Sequence, residues 1–359
     1  MSARTNVGVI GLGMASKPHA RSLIDLRASG RVARVLGWSP SAERRAAFSA
    51  AHGLDTADTL EQLLEDDSIG TVLLLTPPDA RAELLDALIA HGKHVLMEKP
   101  VERDGAAAEA LVSQAERGGV QLGLVLQNRY RDVVRSLAAR LSAGELGTLA
   151  TVRLELPWWR EQSYYDEPGR GTRARDGGGV LISQAIHSLD LMQSLAGPVC
   201  DVAAIAATTP LHRMECEDFV GAGLQFENGA VGALMATTAA CPGAGETLTL
   251  VGTEASATLS ADALEIAWLD GRRETVREGP DELRVEPGGS ATDGPGMGGG
   301  ADPMAFPHHW HRRCIAAFLD AVEAGRAPVP SARDALAVHA LIEALLASAR
   351  ERRHVRPAH

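Results

Sequence analysis

The chain is short of the residues that mark several functional classes. Its four cysteines, Cys200, Cys216, Cys241 and Cys314, stand apart with no C-x-x-C pair among them. Neither a disulfide scaffold nor a thiolate zinc site is expected, and all four read as reduced thiols. Positive charge is scarce as well: 35 Lys and Arg against 46 Asp and Glu leave a formal charge of -11. That balance disfavours a surface for nucleic-acid phosphates or anionic membranes, so neither partner is expected. No apolar run is long enough to span a bilayer, and residues 1–6 lead straight into an apolar strand without a cleavage pattern. The expectation is a soluble, cytoplasmic protein. Aromatic residues make up only 4%, so a place where they gather is informative.

At 359 residues the chain is too long for one ordinary α/β domain and comfortable for two. Residues 7–10 form a short apolar run of the kind that makes a buried parallel strand. It enters Gly11-Leu12-Gly13-Met14-Ala15-Ser16 and then a helical stretch to about Leu26. Strand, glycine turn and helix are the dinucleotide-binding order: Gly11 permits the turn, Gly13 admits a pyrophosphate, and the helix N-terminus offers free N–H groups. Ser16 takes the third glycine position. Further strands are predicted at 32–38, 71–75 and 94–97, separated by helices around 42–51, 59–64 and 80–91. This alternation predicts a doubly wound parallel sheet over residues 1–126. The carboxylate that would hold the adenosine ribose 2′-hydroxyl is missing after the second strand, where Trp38-Ser39-Pro40 is followed by Arg44 and Arg45. NADP, or use of both NAD and NADP, is therefore favoured slightly over NAD alone, with a solvated arginine face as the rival reading of the two arginines.

Beyond Gln127 the pattern changes. Strands are predicted at 152–156, 202–207, 218–226, 230–237, 247–251, 257–260 and 265–269, with Glu227-Asn228-Gly229 as a hairpin turn. A run of strands after alternating βα units predicts a second domain, residues 127–359. A helix is predicted from Gly177-Gly178-Gly179 through Leu195. Another is expected over about 310–324, and a last one over 331–352, capped by Ser331 and basic at its end. The glycine-rich stretch 287–300 reads as a mobile loop.

Thr76-Pro77-Pro78 at a strand end, Gly92-Lys93-His94-Val95-Leu96-Met97-Glu98-Lys99-Pro100, the glycine turn followed by His19, and the helix carrying His187 and Asp190 together resemble the Gfo/Idh/MocA family of sugar and polyol dehydrogenases. The resemblance runs nearly end to end. It implies an N-terminal Rossmann domain and a C-terminal α/β domain with a large, mostly antiparallel, open-faced sheet, assembled as a homo-oligomer, dimer or tetramer. It implies Gly11, Leu12, Gly13, Met14, Ala15, Ser39, Thr76, Pro77, Pro78, Glu98, Lys99 and Gln127 as the cofactor-binding positions. By the same resemblance His187 is the general acid/base and Lys99 the donor to the substrate oxygen.

Those roles fit the chemistry, because moving a hydride between a secondary alcohol and a nicotinamide needs a base for the hydroxyl proton and a fixed donor for the oxygen. The bland readings are an exposed loop lysine and a polar-face histidine. Ser183, His187 and Asp190 are spaced i, i+4 and i+7, which predicts one shared helix face. Many family members carry aspartate at the Ser183 position, so this chain departs from a Lys-Asp-His set, and Ser183 and Gln184 are left as substrate contacts. The aromatic cluster Trp158-Trp159-Arg160-Glu161-Gln162-Ser163-Tyr164-Tyr165 with Gly169-Arg170 suits the faces and hydroxyl edges of a sugar. From it Trp158, Arg160, Tyr165 and Arg170 are taken as substrate-binding, with Arg129 contributing at the domain junction. His308-His309-Trp310-His311 invites a metal, but carboxylate and cysteine partners at ligand spacing are missing, so no metal is expected.

The expected activity is thus hydride transfer between a nicotinamide and a sugar, polyol or sugar derivative. The alternatives are glycoside processing by transient oxidation with tightly held NAD(H), and a catalytically silent cofactor-binding sensor.

Overall fold

The computed structural model describes residues 5–278, 284–287 and 307–358. They form two compact units, one of residues 5–127 with 307–336 and one of residues 128–278 and 284–287 with 337–358. Residues 307–336, read from sequence as part of the second domain, pack in the first.

The first unit holds a six-stranded parallel sheet in the order β3-β2-β1-β4-β5-β6. Its strands are β1 (Thr5–Ile10), β2 (Val32–Trp38), β3 (Asp55–Thr56), β4 (Ile69–Leu74), β5 (His94–Met97) and β6 (Leu122–Leu124). Order reverses between β1 and β4, the place where doubly wound sheets bind ligands beyond the carboxyl ends of their strands. Val7, Val9 and Ile10 of β1 and Val72, Leu73 and Leu74 of β4 are at most 1% exposed, as continuous apolar runs covered on both faces should be. Helix His309–Glu323 closes this unit, burying Trp310, His311, Cys314, Ile315, Phe318 and Leu319.

The second unit holds a nine-stranded sheet among the described residues, in the order β15-β14-β13-β12-β11-β7-β10-β9-β8. Here β7 is Leu149–Pro157, β8 Val199–Ala207, β9 Phe219–Phe226, β10 Val231–Thr237, β11 Thr247–Gly252, β12 Ala255–Leu259, β13 Ala263–Trp268, β14 Arg273–Arg277 and β15 Arg284–Pro287. All neighbours are antiparallel except β10 and β7. Register sorts the two faces. Leu154 pairs with Leu234 and Leu248 and all three are buried, whereas Thr151 pairs with Val231 and Val251 on the opposite face. Ile205, in register with Gly221 and through it Met235, shares that second face, and Ile205, Val231 and Val251 are exposed there.

Two sequence expectations are revised. Strands β3, β6, β14 and β15 were not predicted; two are only two and three residues long, too short to show an alternation. The last helix spans Leu336–Glu351 and does not begin at Ser331. Ser331 instead closes a turn, its N–H and hydroxyl both donating to Asp334. The glycine-rich run lies, from residue 288 on, outside the described residues. Among those described, no helix is long and apolar enough to cross a membrane.

Candidate functional site

The positions expected from sequence to bind the cofactor lie largely in the loops that follow the strands of the first sheet. Gly11 has φ of 100°, and a Cβ there would lie 2.9 Å from the Leu75 backbone, so the passage of the chain after β4 leaves room for glycine alone. Around Gly13 a Cβ would meet nothing within 4 Å. Nothing inside the unit demands glycine there, and the open approach suits a pyrophosphate. Leu12 is buried and Met14 exposed, while Ala15 caps helix Ser16–Ala28 without a side-chain bond. These positions therefore offer backbone rather than side-chain chemistry.

After β2, the Ser39 carbonyl accepts a bond from Arg45 Nη1 at 2.8 Å, which folds Arg45 back onto the loop and leaves Arg44 exposed. Among the described residues Thr76 Oγ1 and Gln127 Oε1 are buried polar atoms without a hydrogen-bond partner. Orphaned buried atoms are costly, and a dinucleotide with its amide and ribose hydroxyls would satisfy both. The residues present thus fit the cofactor.

Beyond β5 comes Glu98, whose backbone N–H still donates to Leu74. One carboxylate oxygen takes a bond from His19 Nε2 at 2.8 Å and the other from the Lys99 N–H at 3.0 Å. The Glu98 side chain, which sequence reading gave to the cofactor, is thus engaged inside the unit. Burial pushes its carboxyl up, but the His19 bond and the nearby His19, His311 and Lys99 charges prevail and hold it at about 2. Lys99 is half-buried and precedes a cis proline. His311 packs its ring on that of His19, centroids 5.0 Å apart, and burial drives it down to about 3. His19, Glu98 and His311 place ligand-type atoms within 4.8 Å of one another, a grouping drawn from three distant stretches that spacing along the chain could not reveal. His308 lies apart, against Asp25.

Sequence reading also missed Arg81. Fully buried, it donates to the Thr76 carbonyl at 3.1 and 2.8 Å and to the carbonyls of Pro100 and Val101. It thereby ties the loop after β4 to the loop carrying Lys99. Burial lowers it to about 10, partly offset by Glu98, Glu102 and Asp79.

In the second unit His187 stands one residue into helix Ile186–Ala196, directly after a π-turn over Leu181–Ala185. A wider turn breaks the 3.6-residue period, so the single face predicted for Ser183, His187 and Asp190 is not an unbroken α-helical one. The Ser183 hydroxyl donates to the Gly179 carbonyl and also contacts Gln184. The turn is anchored from outside: Val180 N–H donates to the Glu217 carbonyl at 2.9 Å and Leu181 N–H to its carboxylate at 3.3 Å. A Cβ on Gly179 would lie 1.9 Å from that carbonyl oxygen, which is why a glycine stands there. Burial raises the Glu217 carboxyl.

Asp190 is 3% exposed and receives the Arg129 fork at 2.6 and 2.7 Å. The guanidinium expected on a substrate is thus engaged with the helix that carries His187.

The aromatic segment divides between support and surface. Trp158 belongs to the core, and Tyr165 is buried with its hydroxyl 2.6 Å from Thr238 Oγ1, burial pushing it up to about 12. Arg160, 6% exposed, lies over the Trp158 and Tyr164 rings at 5.4 and 5.7 Å, and burial lowers its pKa. Beneath it, fully buried His212 bridges Asp218 at 2.7 Å and the Arg160 carbonyl at 2.8 Å. Tyr164 was passed over in sequence, yet its hydroxyl receives Arg170 Nη1 at 2.9 Å and Gln184 Nε2 at 3.3 Å. It joins the arginine of the loop to the π-turn beside His187.

Comparison with known proteins agrees with this architecture. Residues 5–125 match the model of the oxidoreductase family with an NAD-binding Rossmann fold, GFO_IDH_MocA, and residues 134–258 match the GFO/IDH/MocA C-terminal domain. The 1,5-anhydro-D-fructose reductase of Ensifer adhaerens is 28% identical over 54% of this chain and 58% of its own. The scyllo-inositol 2-dehydrogenase (NADP(+)) IolW of Bacillus subtilis is 24% identical over 54% of each. The chain thus spans little more than half the length of these curated relatives. A levoglucosan dehydrogenase solved with NADH and levoglucosan shares the fold, with a TM-score of 0.82 at 22% identity over 99% of this chain and 100% of the other.

Proposed function

Because the chain belongs to the GFO/IDH/MocA oxidoreductase family, we propose that it is an NAD(P)-dependent dehydrogenase or reductase acting on a secondary alcohol or ketone of a sugar, polyol or sugar derivative. The observation that supports this reading is the match of both family halves in a chain that carries a lysine, Lys99, beyond β5 of the Rossmann sheet and a histidine, His187, on the helix after the π-turn. When bound, the nicotinamide supplies the hydride acceptor or donor. Backbone N–H groups at Gly11 to Ala15 would hold its pyrophosphate, and Thr76 Oγ1 and Gln127 Oε1 would meet its polar edges. The absence of a carboxylate at Ser39 and the exposed Arg44 favour NADP or dual use, and one relative's name carries NADP(+).

Lys99 donates from its ammonium to the substrate oxygen, stabilising the alkoxide-like charge that develops there. His187 takes the hydroxyl proton in oxidation and returns it in reduction, as an imidazole can near neutrality. Arg170, 4.3 Å over the Tyr164 ring, and Gln184 are donors of the kind that suits the hydroxyls of a sugar. The chain works as a homo-oligomer, dimer or tetramer, and the apolar Ile205, Val231 and Val251 on the open sheet face support that reading.

Absorbance at 340 nm over a panel including levoglucosan, 1,5-anhydrofructose, scyllo-inositol and common aldoses and ketoses, with NAD(H) and with NADP(H), tests the proposal. Turnover of at least one member is the expected result. Cofactor that co-purifies and is regenerated without net change would replace it with transient oxidation during glycoside processing. Silence across the panel despite tight cofactor binding would leave a sensor.

A further inference from the structure

We propose that His19, Glu98 and His311 form a positioning device for Lys99, in which the two histidines hold the Glu98 carboxylate so that its second oxygen fixes the Lys99 N–H and so the root of the lysine side chain. The proposal rests on the reading of Lys99 as the donor to substrate. It starts from the end of β5. The Glu98 N–H makes a ladder-type bond to Leu74, and one residue later the Lys99 N–H turns to the Glu98 carboxylate. A backbone donor can only donate, so that oxygen must remain an acceptor, and the ionised carboxylate meets the condition.

The other oxygen is held by His19, which is 0% exposed. Among the described residues its Nδ1 and that of His311 are buried without a hydrogen-bond partner. His19 is therefore committed through Nε2 to Glu98 alone, and His311, 5% exposed, buttresses its ring edge-on. On the far side Arg81 grips the Pro100 and Val101 carbonyls. The lysine is thus held on both flanks by groups buried in one unit, and none of the three proposed positioning residues needs to touch substrate. Misplacing a reacting group by about 1 Å costs on the order of a hundredfold in rate.

The test uses the full-length protein and the most active member of the sugar panel. His19→Leu removes the donor to Glu98, and His19→Gln keeps an N–H near the Nε2 position. The first is expected to lower kcat by about ten- to a hundredfold with cofactor Kd unchanged within about twofold, and the second to recover most of the loss. In a Lys99→Met background His19→Leu should cost nothing further, because its effect passes through the lysine. Additive losses overturn the positioning role while leaving Lys99 catalytic, whereas an unaffected Lys99→Met enzyme overturns the reading of Lys99 itself.

A second readout needs no substrate. The chain has three lysines, Lys17, Lys93 and Lys99, so reductive ¹³C-methylation gives three lysine NMR signals beside that of the α-amino group. His19→Leu should move or broaden the Lys99 signal and leave the other two in place, with His19→Gln close to the parent. A Lys99 signal unchanged in His19→Leu overturns the proposal. So does stoichiometric binding of added Zn²⁺ that is lost in His19→Leu, which would make the cluster a metal site.

Discussion

Tyr164 and Tyr165 are adjacent, yet one hydroxyl joins Arg170 to Gln184 and the other is buried against Thr238. Their difference sets separate expectations. Tyr164→Phe should raise KM for the sugar about tenfold, the worth of roughly one hydrogen bond, with a smaller change in kcat. Tyr165→Phe should act on stability, and a thermal melt beside initial-rate kinetics distinguishes the two. For His187→Ala the expectation is a loss of turnover of at least about a hundredfold with cofactor affinity retained, as removal of an acid/base implies. Unchanged turnover on the true substrate would take it out of the mechanism. Sequence singled out His187 and Lys99 because each sits in a short motif. It was silent about Tyr164, Arg81 and the His212–Asp218 pair, whose partners lie on other elements and are set by packing.

Between residue and fold, the π-turn at Leu181–Ala185 is the element that sets where His187 stands. Its wider hydrogen-bond pattern depends on Glu217, whose carbonyl and carboxylate meet Val180 and Leu181. Gly179→Ala would drive a Cβ into that carbonyl, so a loss of about 3 kcal/mol is expected, read as a lowered urea midpoint together with reduced activity. Wild-type stability in that variant would mean the contact relaxes freely. The glycines were visible in sequence as a helix start, and the apolar positions Leu181, Ile182, Ile186 and Leu189 gave its extent. The inserted turn was not visible, because a periodic pattern with one shifted residue still reads as an amphipathic helix. For the same reason the βα alternation of the first unit and the hairpin at Glu227-Asn228-Gly229 could be read directly, whereas β6, three residues long, could not.

At the level of the whole molecule, acid sensitivity should come from the first unit. The unfolded chain protonates its imidazoles near pH 6.5, but buried His311 is held to about 3. Glu98 likewise lies at about 2 against an ordinary 4.5. In both windows the unfolded state binds the proton first, so the stabilisation present at neutral pH is lost as pH falls from about 6.5 toward 2. Denaturant midpoints measured across pH 7 to 4 should decline steeply, and His311→Phe should flatten the upper part of that slope. An equally steep decline in the variant would place the sensitivity elsewhere. The division of the chain sharpens a further expectation: residues 1–127 alone lack helix His309–Glu323 and its buried Trp310, Ile315 and Phe318. That fragment should melt without cooperativity by circular dichroism, and a version joined to residues 307–336 should regain a sigmoidal transition.

The late return of residues 307–336 to the first unit also bears on birth at the ribosome. Residues 5–127 emerge before the rest of their unit, which is complete only once residues 307–336 have left the exit tunnel. By then the strands of the other half have long been free to pair. The second unit in turn takes in residues 337–358, so during synthesis neither unit can close until chain lying beyond the strands of the second has been made.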